Sequence, residues 1–280
     1  MNIAAPLPGT IDAKQGWRGH LELEFSGDRA RTVLSRRMRS GPLSVQRPFY
    51  PEQGGMEVYI LHPPGGVVGG DILEIEALVR TDAEVLITTP GAAKLYRSGG
   101  DTAEIRNTLT VTGLLEWMPQ ENIFFNGACV RQHTHVALTP GAAFIGWEIH
   151  CLGRIASGET FSKGNLDLGI SIVRDENPLL VERLHINDAS YQSSVGLRGF
   201  PVCAALYATP LDRTTLEAAQ SLQVNNAREA CGMTLLDYLL VVRYLGSSVA
   251  SARDRLQSVW QRVRPKAIGR DAVAPRIWST

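Results

Sequence analysis

The chain has 280 residues, with 28 basic side chains against 28 acidic ones and a formal net charge of zero at pH 7, so it lacks the excess positive field that grips nucleic acid or an anionic membrane. Its four cysteines, Cys129, Cys151, Cys203 and Cys231, lie far apart with no CxxC pair, which argues against a zinc site and a dense disulfide framework and fits a reducing compartment. No run reaches the roughly 18 apolar residues of a membrane helix and Met1–Thr10 lacks a basic region followed by an apolar core, so a soluble, unexported, cytoplasmic protein is expected.

One domain over 1–280 is expected, with a flexible Pro/Gly-containing start at 1–15. Gly19 to Phe25 alternates with period two and presents Leu21, Leu23 and Phe25 to one side, as a half-buried strand does. Arg29 to Arg39 carries five arginines among Val33, Leu34 and Met38 and reads as a solvated strand face. Lysine is scarce: four lysines among the 28 basic residues leave 24 arginines, whose planar forks suit carboxylates and protein interfaces. The segment from Gly41 to Glu52 has three prolines and cannot form a central strand or a helix, so an ordered, extended surface segment is expected.

The stretch from Leu61 to Asp71 packs four glycines and two prolines into eleven residues. No Lys-Ser/Thr pair follows them, and Asp71-Ile72-Leu73-Glu74-Ile75-Glu76 alternates like a strand, so a phosphate-binding loop is excluded and a shaped β turn is expected. Further strands are expected at Glu57 to Leu61, Asp71 to Val79, Glu84 to Thr88, Ala103 to Val111, Leu114 to Met118, Val130 to Leu138 and Ala143 to Leu152. Thr89-Pro90-Gly91-Ala92-Ala93 recurs as Thr139-Pro140-Gly141-Ala142-Ala143, which reads either as a stacked or duplicated β architecture or as one common tight turn used twice.

Helical periodicity comes late. Asp212 is placed to cap a helix through Leu222, and Ser248 to cap one from Val249 to Arg264 that Pro265 stops, with Val249, Ala252, Leu256, Val259 and Val263 as its apolar stripe. Leu235 to Leu245 fits either a strand or a buried helix. Ile277 and Trp278, close to the C-terminus, are expected to dock on the body or on a partner. The resulting fold class is mainly β, a large multi-stranded scaffold of stacked or helical β layers with about two α-helices in the C-terminal part.

Residues i and i+2 of a strand share a face. In Gly146 to Cys151, Glu148 and His150 therefore point together and away from Trp147, Ile149 and Cys151. The pair is a candidate transient metal site, since imidazole and carboxylate suit nickel or zinc; a hydrogen-bonded structural pair is the other reading. His133 and His135 also share a face, but Arg131 beside them opposes a cation, so they read as solvent-facing. His62, before the double proline, reads as a turn histidine that bonds the backbone. Glu116 and Glu121 flank Trp117-Met118 and raise the alternative of a glycan-acting enzyme, which requires both carboxyls in one cleft. No Ser/His/Asp or Cys/His signature accompanies them, and no tightly bound cofactor is expected.

Five ordered motifs resemble one known family. They are Gln46-Arg47-Pro48-Phe49-Tyr50-Pro51-Glu52; His62-Pro63-Pro64-Gly65-Gly66 with Gly69-Gly70-Asp71; Thr88-Thr89-Pro90 with Lys94, Tyr96 and Arg97; Glu116 to Glu121; and Gly146-Trp147-Glu148 with Gly153, Arg154, Ala156, Gly158 and Glu159. Together they resemble the urease accessory protein UreD (UreH) family, densely from Leu43 to Phe161 and more weakly to the tail. The resemblance implies a mostly β fold with a few C-terminal helices. It also implies a non-enzymatic maturation factor that binds apo-urease, recruits UreF and through it the GTPase UreG, and so brings nickel to the urease active site.

Overall fold

The computed structural model describes residues 16–28, 31–52 and 54–279. The flexible start expected at 1–15, Arg29 of the arginine run, and Thr280 lie outside them. β1 (Arg18–Asp28) and β2 (Arg31–Ser40) pair antiparallel at one edge of a first sheet. The chain crosses to a second sheet for β3 (Ser44–Val45) and β4 (Met56–Leu61), then returns for β5 (Ile72–Val79). It goes on alternating: β6 (Glu84–Thr88) in the second sheet, the short β7 (Ala93–Leu95), β8 (Ala103–Val111) in the first, β9 (Leu114–Met118) in the second, the short β10 (Asn122–Phe124), β11 (Cys129–Leu138) in the first, β12 (Ala143–Leu152) in the second and β13 (Asn165–Arg174) in the first.

Each return adds a strand parallel to the previous one in its sheet, giving β1-β5-β8-β11-β13 in one layer and β4-β6-β9-β12 in the other. The result is a stacked, coil-like β scaffold. Antiparallel strands then close both layers: β14 (Asn177–Ile186) on the first, and β15 (Val202–Thr209), β16 (Val224–Asn225), β17 (Glu229–Leu236) and β18 (Leu239–Gly246) on the second. The totals among the described residues are seven strands in the first sheet and eleven in the second.

The strand series therefore continues well past Leu152. Asn165 to Arg174 alternates as cleanly as β1, with Leu166, Leu168, Ile170 and Ile172 all buried. The ambiguous Leu235 to Leu245 stretch lies in a β-hairpin whose turn residues, Asp237 and Tyr238, both have positive φ. The repeated pentapeptide links two strands in each copy but with different backbone conformations. Gly141 adopts φ 85° between β11 and β12, whereas Gly91, between β6 and β7, does not enter that region. The duplication resides in the layer crossings themselves.

Two cores follow from the layering. One fills the space between the sheets with Leu21, Leu23, Phe25, Ile60, Val79, Leu109, Val136, Phe144 and Ile170. The other lies on the outer face of the second sheet, where Ile145, Trp147 and Leu206 meet helix α3. Three α-helices are described: α1 (Asp188–Gln192), α2 (Arg213–Gln220) and α3 (Val249–Ile268). Asp212 and Ser248 cap the last two as expected, each accepting from the backbone N–H three residues on.

Pro265 does not stop α3, contrary to the expectation. The helix runs to Ile268 and ends on Gly269 at φ 72°, because Val263 and Ala267 bury against the sheet and hold the last turn in register. No helix among the described residues is long and apolar enough to cross a membrane.

Candidate functional site

β12 is buried along its whole length because it is covered on both sides, by the first sheet and by α3. Its alternation therefore sorts residues between two interiors. Trp147 and Ile149 enter the core under α3. Glu148 and His150, 9 % and 6 % exposed, point instead into the space between the sheets.

There they join polar residues from the facing strands. Thr134 Oγ1 on β11 donates to Glu148 Oε1 at 2.8 Å, and Asn107 Nδ2 on β8 donates to Thr134 Oγ1 at 3.1 Å. Asn122 Nδ2 donates to Gln132 Oε1 at 3.0 Å alongside. Glu148 Oε2 lies 3.7 Å from His150 Nε2. His150 Nδ1 and Asn107 Oδ1 are buried with no hydrogen-bond partner among the described residues. Such atoms carry a desolvation cost of about 1–3 kcal/mol each unless something binds them, so this line of groups is built to face water or a ligand.

Glu148 is also where two cavities meet. One, of about 300 Å³, runs from Asn107, Gln132 and Glu148 to a rim formed by His62, Gly65, Gly66, Pro90, Gly91 and Lys94. The glycine-dense turn thus shapes a cavity mouth. Burial holds the His62 imidazole below its usual range, against the opposing pull of the Asp71 charge. The second cavity, of about 530 Å³, continues past Glu148 and His150 to Cys203, Tyr207, Glu182 and Arg243. Tyr207 Oη donates to Glu182 Oε2 at 2.8 Å, Arg243 pairs with the same carboxylate, and burial pushes the Tyr207 hydroxyl well above its ordinary pKa.

The two carboxylates of the enzyme alternative do not share a cleft. Glu116, 2 % exposed, faces α3, where it accepts from Trp260 Nε1 at 2.7 Å and from Arg264 Nη2 at 2.7 Å. Glu121 pairs with Arg253 of the same helix. Both carboxylates pin α3 to the second sheet, and neither is free for acid–base work on a bound glycan. At the tail, Trp278 is half-buried, 5.1 Å from Trp147 and 5.6 Å from Trp260 between ring centroids, with its Nε1 donating to Thr88 Oγ1 at 3.0 Å. Ile277 beside it is also half-buried.

A family model described as UreD urease accessory protein matches residues 17–279. The chain belongs to the UreD urease accessory protein family. It is 46 % identical over 274 residues to the urease accessory protein UreD of Alcanivorax borkumensis, covering 95 % of this chain and 93 % of that one. It is 43 % identical over 272 residues to the Escherichia coli UreD and 41 % over 269 residues to that of Klebsiella aerogenes, in both cases covering 95 % of this chain and 98 % of the relative. Membership carries a role in urease maturation.

Among the described residues of this UreD-family chain, no group of three or more His, Cys, Asp or Glu side chains is placed to hold a metal ion. Glu148 and His150 are the only pair from the sequence reading that both point into the cavity. The cysteines are free thiols; burial raises Cys151 to about 11 and Cys203 to about 12, which removes them as ready thiolate ligands at neutral pH. Sequence reasoning missed Asn107, Gln132 and Thr134, which complete the polar line. Their signal was present, since all three occupy core-facing positions of alternating strands, where a polar residue demands a partner.

Proposed function

We propose that this chain is a non-enzymatic cytoplasmic scaffold for urease maturation, which binds apo-urease, recruits UreF and, through UreF, the GTPase UreG, so that nickel reaches the urease active site. The observation that carries the reading is the family match over nearly the whole chain. A two-layer body whose buried carboxylate Glu116 is taken up by Trp260 and Arg264 supports an assembly role. The test is capture and activation. The tagged chain should retain apo-urease and UreF, retain UreG only when UreF is present, and be required for nickel-dependent activation. Full activation without it, or no capture of either partner, removes the reading.

Within that role we assign Glu148 and His150 as transient nickel contacts. Their 3.7 Å separation allows one ion to lie about 2.1 Å from each donor, and two protein ligands release an ion more readily than a closed cage. His150→Ala should weaken nickel binding and slow urease activation while UreF binding stays intact. Calorimetry and activation kinetics that both match the unaltered chain would leave the pair a purely structural one. Ile277 and the exposed part of Trp278 are assigned to a partner contact at the edge of the tryptophan cluster.

A further inference from the structure

The outer face of the first sheet carries a second convergence of metal-type donors, on the side of β11 opposite the cavity. His133 and His135 project outward from β11, and on the neighbouring β13 Ser171 sits directly across from His135. Ser171 Oγ lies 3.0 Å from His133 Nε2 and 2.8 Å from His135 Nδ1. Two imidazole nitrogens and a hydroxyl oxygen therefore meet at one point. A hydroxyl has one proton, so one ring accepts it while the other donates its N–H to the oxygen.

The strand beneath is built to allow this. Gly169, across from His133, has no left-handed φ that would demand glycine, yet a Cβ there would stand 2.7 Å from His133 Nδ1. The missing side chain is room for the imidazole to lie across β13 and reach Ser171. Arg131, which argued against a cation here, is matched by Glu104 at 3.1 Å and Asp167 at 3.7 Å. Arg183 is matched by Asp167 at 2.6 Å, and Arg106 by Glu74 and Glu104. The surrounding face is a balanced lattice of charge.

We propose that His133 Nε2 and His135 Nδ1, with Ser171 Oγ beside them, form an exchangeable surface site for one imidazole-preferring divalent ion such as zinc, nickel or copper. The ion lies between the two ring nitrogens, the N–H of the donating ring moves to its other nitrogen, the Ser171 hydroxyl keeps its proton and turns it to water, and water completes the coordination. The site lies on the sheet face opposite Glu148 and His150, so it stands or falls independently of the interior pair.

The test is calorimetric titration of the full chain with Zn²⁺ alone, in a His150→Ala background that disables the interior pair. One binding event should remain, and His133→Ala or His135→Ala should each weaken it at least about tenfold. Gly169→Ala should weaken it as well, although it removes no ligand, because the added methyl displaces the His133 ring. His62→Ala should leave it unchanged. Absence of the event before substitution, or its survival in the His133→Ala/His135→Ala double variant, overturns the proposal. A measurement on the unaltered chain covers variants that do not fold: Zn²⁺ should shield His133 and His135 from diethylpyrocarbonate, read by peptide mass, and equal modification with and without the ion is a refutation.

Discussion

One of the ion pairs that attach α3 to the second sheet is deeply buried, and removing its cation should be costly. Arg264 approaches Glu116 with Nε at 3.0 and 3.1 Å and Nη2 at 2.7 Å, and its side chain and that of Glu116 are 11 % and 2 % exposed. Solvent screening is therefore slight. Arg264→Met removes two donating nitrogens from a buried carboxylate, and hydrogen bonds to charged groups contribute about 1.5–3 kcal/mol each. The sum, roughly 3–6 kcal/mol, agrees with the 3–5 kcal/mol typical when one partner of a buried pair is deleted.

Near the melting midpoint such a loss corresponds to a fall of roughly 5–10 °C for a chain of this size. Glu116→Gln/Arg264→Met should recover most of it, since the amide oxygen still accepts from Trp260 Nε1 and no charge is left buried. Thermal melts of the full chain and both variants supply the comparison. If Arg264→Met costs less than about 1 kcal/mol, or the double variant is no better than the single, the stranded-charge reasoning is wrong.

The tail gives a second expectation. Trp278→Ala removes two aromatic contacts of about 0.5–1.5 kcal/mol each and one hydrogen bond of similar size, so a loss of roughly 2–4 kcal/mol should appear in a denaturant titration; deleting residues 276–280 should reproduce it, and an unchanged midpoint in either case contradicts the docking described. The third concerns acid. The Thr215 hydroxyl and N–H, with the Thr214 hydroxyl, lower the Asp212 carboxyl to about 2. Because the folded pKa lies below the unfolded one, near 3.9, the cap's contribution is fully present above about pH 4 and is lost as pH falls towards 2. Asp212→Asn should keep α2 capped but abolish that dependence, whereas Asp212→Ala should expose the Thr215 amide to exchange at every pH; identical acid profiles for Asp212→Asn and the unaltered chain would rule out the linkage.

Local chemistry was enough to read several of these features in the sequence. Period-two alternation placed Glu148 with His150 and opposite Trp147, because strand parity is a property of the backbone alone. Asp212 and Ser248 announced their helices because a cap acts on amides three residues away. The prolines between Gly41 and Glu52 confined that segment to an edge, where only the short β3 forms. The end of α3 was misread for a related reason: proline's local penalty was visible, while the packing of Val263 and Ala267 that outweighs it was not.

Tertiary structure decided everything that depends on which surfaces meet. Every residue of β12 is buried, so hydrophobicity cannot distinguish the face under α3 from the face lining the cavity, and parity alone cannot say which is which. Glu116 and Arg264 are 148 positions apart; no local pattern joins them, and only the closure of α3 over the second sheet turns a candidate catalytic carboxylate into a structural anchor. The same holds for His133 and His135, whose shared face was legible, but whose shared oxygen on Ser171 and whose clearance over Gly169 come from β13 pairing alongside β11. Strand pairing is set by long-range burial rather than by the residues between the strands, and this is why the sequence showed the donors while the fold alone determined which of them converge.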